Sequence, residues 1–262
     1  MLCSLPMYPH ESLLAEFWNA LRRRLTAGGL AGLPTELGWP QDYLAHWRSP
    51  ELLLSQTCGY PAATLLAEHV QVLGAFHYAL PGCSGYQYSS RLTVRRDDPR
   101  QQLADFRHAR AVCNEPHSQS GCHSLRELVA PLAQDGRFFS SVTFSGAHRL
   151  SARQLAAGEA DIAALDCISV HLLQQQEPEV FAQLRCIGHT ASAPGLPLVT
   201  ARDTPPAVVT LLRQALATCV RDPLLQPLLR RLHIADFSVL DAADYQVCRQ
   251  RAEAILPQLA PW

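Results

Sequence analysis

Three short stretches set hydroxyl side chains beside a glycine just ahead of a helical pattern. They are Ser55-Gln56-Thr57-Cys58-Gly59, Ser118-Gln119-Ser120-Gly121 and Ser145-Gly146-Ala147-His148. The start of a helix carries N–H groups with no partner inside the helix and about half a positive charge. Hydroxyls add donors, and glycine lets an anion approach the backbone closely. Such turns can hold a small oxyanion without lysine or arginine. Each turn taken singly is also a good helix cap. Capping does not require a glycine beside the hydroxyl three times over, and Ser118–Gly121 is the best single anion candidate. His148 reads either as a surface histidine or, beside Ser145, as a further donor to the anion. Asp166 ends an apolar run, "DIAAL", where a charge needs a partner or a task. Asp161 opens the same run and reads as structural. Tyr86 and Tyr88 are spaced to share a strand face, for packing or for ligand contact.

Two catalytic arrangements can be tested on spacing alone. His117, Cys122 and His123 fit no usual zinc pattern, so no metal site is expected. Cys58 at a helix start, with His148 and Asp166 elsewhere, would imitate a cysteine hydrolase, since helix starts lower thiol pKa values. Nothing else in the chain supports that triad. All 22 basic residues are arginine, which removes Schiff-base and lysine-nucleophile chemistry. No cofactor is expected.

The elements that must position these turns follow from periodicity. "ESLLAEFWNALRRRL" places Leu14, Phe17, Leu21 and Leu25 on one helix face, with Glu11 in its first turn and arginines in its last. "PELLLSQTCGYPAATLLAEH", "AVCNEPHSQSGCHSLRELVAPL" and "SSVTFSGAHRLSARQLAAGE" each read as strand, polar turn, helix; in the second, the helical spacing starts at Leu125. "ADIAALD" is a short buried strand, and "AVVTLLRQALATCV" is a helix entered through prolines. Strands alternating with helices indicate an α/β fold with parallel strands, whose ligands bind at the carboxyl edge of the sheet.

The chain has 262 residues, 48% of them hydrophobic and 17% charged, enough for one large domain or two lobes. A net charge of −1 argues against nucleic acid as a partner. No apolar run reaches the roughly 20 residues of a membrane span. The N-terminus carries no secretory signal, so the chain as written reads as cytoplasmic unless a leader has been trimmed. Nine scattered cysteines with no C-x-x-C pair read as small buried hydrophobes.

The motifs "LPMY", "SQTCGYP", "HYALPGCSGYQYSSRLTVRRDDP", Asn114 followed by "SQSG", "SGAH", "GEADIAALD" and "PGLPLV" occur in this order. In that order the chain resembles PhnD-like phosphate, phosphite and phosphonate-binding proteins of ABC transporters, over nearly its whole length. The resemblance implies a two-lobed type 2 periplasmic-binding-protein fold, each lobe a mostly parallel sheet flanked by helices, with the ligand in the cleft. One lobe would comprise residues 1–91 and 190–262, the other 92–189. It implies that Ser118, Gln119, Ser120 and Gly121 grip the anion. His148 would contact it, Tyr88 would flank it and Asp166 would lie close by, with Tyr8 and Thr57 contributing from the other lobe. Leu196, in Pro194-Gly195-Leu196-Pro197, stands where aminoethylphosphonate receptors carry an acidic residue, so the resemblance does not extend to an amine-bearing ligand. The implied protein is a monomer that captures a small oxyanion for an ABC transporter permease. Enzymes on the same scaffold, chorismate-dehydratase-like or pyrimidine-synthase-like, and a ligand-sensing module are the alternatives.

Overall fold

The computed structural model describes residues 1–8 and 10–262. The chain divides into two compact units. The first comprises residues 1–79, 83–87 and 194–246, and the second 80–82, 88–193 and 247–262.

In the first unit, five strands lie in the order Leu2–Cys3, Leu52–Gln56, Pro197–Ala201, Val70–Tyr78, Ile234–Ser238. Pro197–Ala201 runs antiparallel to both its neighbours, and Ile234–Ser238 runs antiparallel to Val70–Tyr78. Leu52–Gln56 and Pro197–Ala201 are buried at every position, as strands covered on both faces must be. Helix Glu11–Ala27 lays Phe17, Trp18, Leu21 and Leu25 into this core, joined by Leu212, Leu216 and Cys219 of helix Pro206–Arg221. Phe76 receives Phe17 and Phe237 edge-on, with ring centroids 5.7 and 6.0 Å away. The helix expected after "SQTCG" is only five residues long, Gly59–Ala63. It stops at Thr64, which leaves helical geometry and donates its hydroxyl back to the Tyr60 carbonyl at 2.7 Å.

The second unit's sheet has the order Leu184–His189, Ser90–Arg95, Ile162–Asp166, Arg110–Cys113, Ser141–Phe144. Arg110–Cys113 is parallel to both neighbours, whereas Ser90–Arg95 is antiparallel to both of its own. The period of two is legible in the packing. Ala111, Cys113, Ile162 and Ala164 face one core with Leu125, Val129 and Phe138. Val112, Ala163 and Leu165 face the other, with Ala152, Leu155 and Leu173.

Three expectations need correcting. The sheets are mixed rather than mostly parallel, because the strands that enter each sheet from the connecting segments run against the rest. Tyr86 does not share a strand with Tyr88: the strand is Gln87–Tyr88, and Tyr86 is half-buried with its ring 6.3 Å from that of His77. Residues 247–262, expected in the first lobe, belong to the second unit, where Ile255, Leu259 and Trp262 pack into its core.

Candidate functional site

The turn Ser118–Gly121 begins a helix, and its first winding is wider than α. The Ser118 carbonyl accepts from both Cys122 and His123 amides, at 3.2 and 3.0 Å, so residues 119–123 form a π turn ahead of helix Ser124–Val129. Such turns recur at functional sites. Ser118 is the N-cap, accepting from the Gly121 amide at 3.0 Å. The Ser120 amide belongs to this first winding. Ser118 and Ser120 are 5% and 4% exposed, so these donors lie at a buried helix start.

Gly121 is required by close approach. A Cβ there would sit 2.0 Å from Asn114 Oδ1 and 3.0 Å from His148 Cε1. Asn114 follows the strand Arg110–Cys113, and its carbonyl accepts from the Gly146 amide at 2.7 Å, tying the segment ahead of Ser118 to the Ser145–His148 turn. Ser145 serves the fold there: its hydroxyl reaches the Cys113 and Ala147 carbonyls and Ser151 Oγ.

His148 is the first residue of helix His148–Ala156. Its Nε2 lies 3.0 Å from Ser120 Oγ and 3.9 Å from Asp166 Oδ2, while its buried Nδ1 has no partner among the described residues. Burial lowers the imidazole pKa, and Asp166 opposes this less strongly. The balance favours the neutral ring. Asp166 caps helix Cys167–Gln176: Oδ1 accepts the Ile168 and Ser169 amides at 2.8 and 3.0 Å, and Oδ2 the Ser169 hydroxyl at 2.7 Å. The task that its burial required is thus partly structural. Asp161 pairs with Arg110 and Arg100, in keeping with a structural reading.

The second unit therefore gathers Ser118, Ser120, Gly121, His148 and Asp166. Gln119, expected to grip the anion, directs its amide to Ser124 Oγ at 3.4 Å while Ser124 donates to the Gln119 carbonyl, bonds that hold the π turn. Tyr88 is buried in this unit at the end of its short strand. Thr57 and Tyr8 belong to the first unit. Thr57 Oγ1 is buried with no partner among the described residues, and Tyr8 lies edge-on to Tyr78 at 5.4 Å. Leu196 is buried in the same unit. Cys58 is the N-cap residue of the five-residue helix. Among the described residues no group of three His, Cys, Asp or Glu could hold a metal ion, and no helix is long and apolar enough to cross a membrane.

Sequence reasoning missed Ser90. It pairs across the sheet with Asp166, and residues directly opposite share a face about 5 Å apart. Its hydroxyl is fully buried without a partner among the described residues. The signal was available only in the register of two strands distant in sequence.

His123, also at this helix start, has its pKa pushed down to about 4 by burial and the nearby Arg126 and His117 charges. The folded value lies below the unfolded one of 6.5, so the neutral ring favours the folded state. Stability should be full above pH 6.5 and fall as pH drops toward 4, by roughly 3 kcal/mol in all. His123→Leu should flatten that slope in urea titrations between pH 4 and 7. An unchanged slope would place the acid sensitivity elsewhere.

Comparisons with known proteins bear on the family and the fold. The family described as the phosphonate ABC transporter periplasmic substrate-binding protein matches residues 12–245. Among solved structures, a binding protein component of an ABC phosphonate transporter from Pseudomonas aeruginosa superposes with a TM-score of 0.79 at 18% identity, covering 97% of this chain and 86% of its own. PhnD1 from Prochlorococcus marinus, in complex with methylphosphonate, gives 0.76 at 12% identity, with 97% of both chains covered. XAC2383 from Xanthomonas citri, bound to ATP, gives 0.76 at 17% identity, with 99% of both covered. No curated protein matches the sequence. With nine-tenths of its length matched to one family and the fold shared with these structures, the chain belongs to the phosphonate-binding periplasmic substrate-binding proteins of ABC transporters.

Proposed function

We propose that the second unit seats a small phosphorus oxyanion (phosphate, phosphite or a simple phosphonate) on the turn Ser118–Gly121. The protein captures it for a transporter permease without bond chemistry. The observation that carries this reading is the convergence of Ser118, the Ser120 hydroxyl and amide, and His148 Nε2 at a buried helix start. The unpartnered hydroxyl of Ser90 and the free Nδ1 of His148 are donors or acceptors with nothing of the described protein to satisfy them. A bound oxyanion would supply partners. The methylphosphonate that occupies the Prochlorococcus relative is the natural first probe.

Ser120→Ala tests this directly. A hydrogen bond to a charged group contributes about 1.5–3 kcal/mol, so affinity for methylphosphonate should fall roughly ten- to a hundredfold with the fold intact by circular dichroism. Titration calorimetry reads the loss. Full affinity in Ser120→Ala would move the anion off this turn. If millimolar methylphosphonate, phosphate and phosphite all fail to bind or stabilise the wild-type protein, the oxyanion reading falls.

A further inference from the structure

The chain has no lysine, and no arginine makes a hydrogen bond or ion pair with Ser118, Ser120, His148 or Asp166 among the described residues. Several arginines of the same unit are engaged elsewhere: Arg110 and Arg100 on Asp161, Arg95 on Asp97, Arg251 on Glu127. Arg126, one turn further along the helix, stacks over the Trp262 ring at 5.3 Å. The carboxylate of Asp166, 4% exposed, comes within ion-pair distance of His148 Nε2, at 3.9 Å.

The helix that His148 begins also packs on Ser90–Arg95, Arg110–Cys113, Pro178–Ala182 and Leu184–His189. Of their charged groups Arg95 pairs with Asp97, Arg110 with Asp161 and Arg185 with the Asp98 and Arg100 carbonyls. Arg91, Glu179 and His189 make no ion pair with His148 among the described residues. On its own helix, Arg149 and Arg153 both pair with Glu177, and on the following helix His171 contacts Gln175. His123, in the π turn, is neutral at ordinary pH. Among these groups Asp166 alone comes within ion-pair distance of the imidazole. Its acceptor capacity is also partly unused. Oδ1 takes two amides and Oδ2 only the Ser169 hydroxyl, so the remaining acceptor position is on Oδ2, the oxygen 3.9 Å from His148 Nε2.

Resting on the oxyanion reading above, we propose that the seat takes its ligand as the singly charged, protonated form, whose P–OH donates to Asp166 Oδ2. A doubly charged oxyanion would set a second full charge beside a buried carboxylate, with helix ends but no arginine ion pair to offset it, and would leave Oδ2 facing a bare oxygen. The monoanion brings a donor to that position. Each dianion captured from solution must then pick up one proton. A tetrahedral dianion that carries no proton near neutrality, such as sulfate, is rejected although its size and shape fit.

Calorimetry of the whole protein with inorganic phosphate, methylphosphonate and sulfate tests this, each run in two buffers of different ionisation heat between pH 6 and 9. Above the ligand's second ionisation, affinity should fall about tenfold per pH unit, with close to one proton taken up per phosphate or methylphosphonate. Sulfate should bind roughly a hundredfold more weakly than phosphate. Asp166→Asn keeps a capping side chain of equal quality, and in it the sulfate gap and the pH slope should shrink. Proton uptake near zero at high pH, or sulfate binding as tightly as phosphate, would overturn the proposal while leaving the oxyanion reading in place. Sulfate binding with uptake of a proton would overturn it too, by putting the proton on His148. If none of the three anions binds, the oxyanion reading itself has failed.

Discussion

Gly121→Ala should lower affinity for methylphosphonate more than a hundredfold and destabilise the protein. The added methyl group would stand 2.0 Å from Asn114 Oδ1, 2.9 Å from Asn114 Cγ and 3.0 Å from His148 Cε1. None of these is the free end of a flexible chain. Asn114 is held by its short side chain and by its carbonyl, which accepts from Gly146, and His148 is fixed at the start of its helix. Relief requires the turn and the His148 helix to separate. That breaks the Ser120–His148 contact and shifts the amide that Ser118 caps. Overpacking of this kind costs about 1–3 kcal/mol of stability. Misplacing two donors to a charged ligand loses about 1.5–3 kcal/mol for each. Calorimetry and thermal unfolding measure the two effects separately. Asn114→Ala in the same chain removes the nearest obstacle, and should restore stability more fully than binding. An alanine variant that binds within a few-fold of wild type would show that the anion sits elsewhere.

How much of this was legible in the sequence depends on the range of the interaction. The Ser118–Gly121 turn was readable because a cap and its helix are local: a hydroxyl, a glycine and a following apolar stripe occupy fewer than fifteen residues. The π turn was not, since one extra residue in the first winding leaves the apolar spacing from Leu125 onward unchanged. His148 could be placed at a helix start, but its approach to Ser120 depends on the Asn114–Gly146 bond between two segments some thirty residues apart. Ser90 illustrates the limit. It looks like one more strand residue until its register against Asp166 is known. Strand direction was misjudged for a related reason. Alternating strands and helices favour parallel neighbours, yet Ser90–Arg95 and Pro197–Ala201 each follow a connecting segment rather than a helix crossover, and each runs against its neighbours.

The C-terminal residues carry the same lesson and the second large effect. By sequence they continue the lobe that precedes them. In the structure Leu259 is 4% exposed in the second unit's core, together with Ile255, Phe138 and Phe139. The Ala260 amide donates to the Gly136 carbonyl at 2.9 Å, and Trp262 lies edge-on to Phe139 at 5.8 Å. Leu259→Ala should therefore cost about 2–5 kcal/mol, the range for a buried leucine whose cavity only partly collapses. In urea the midpoint should fall with little change in slope. Amide hydrogen exchange locates the damage. Protection should drop first in Arg110–Cys113 and Ile162–Asp166, which share that core, and stay near wild type in Leu52–Gln56 and Pro197–Ala201. Because Ser118–Gly121 stands on the same core through Cys122 and Leu125, methylphosphonate affinity should weaken as local opening becomes frequent. Loss of protection in Leu52–Gln56 instead, with the second unit's strands unaffected, would return these residues to the lobe in which the sequence first placed them.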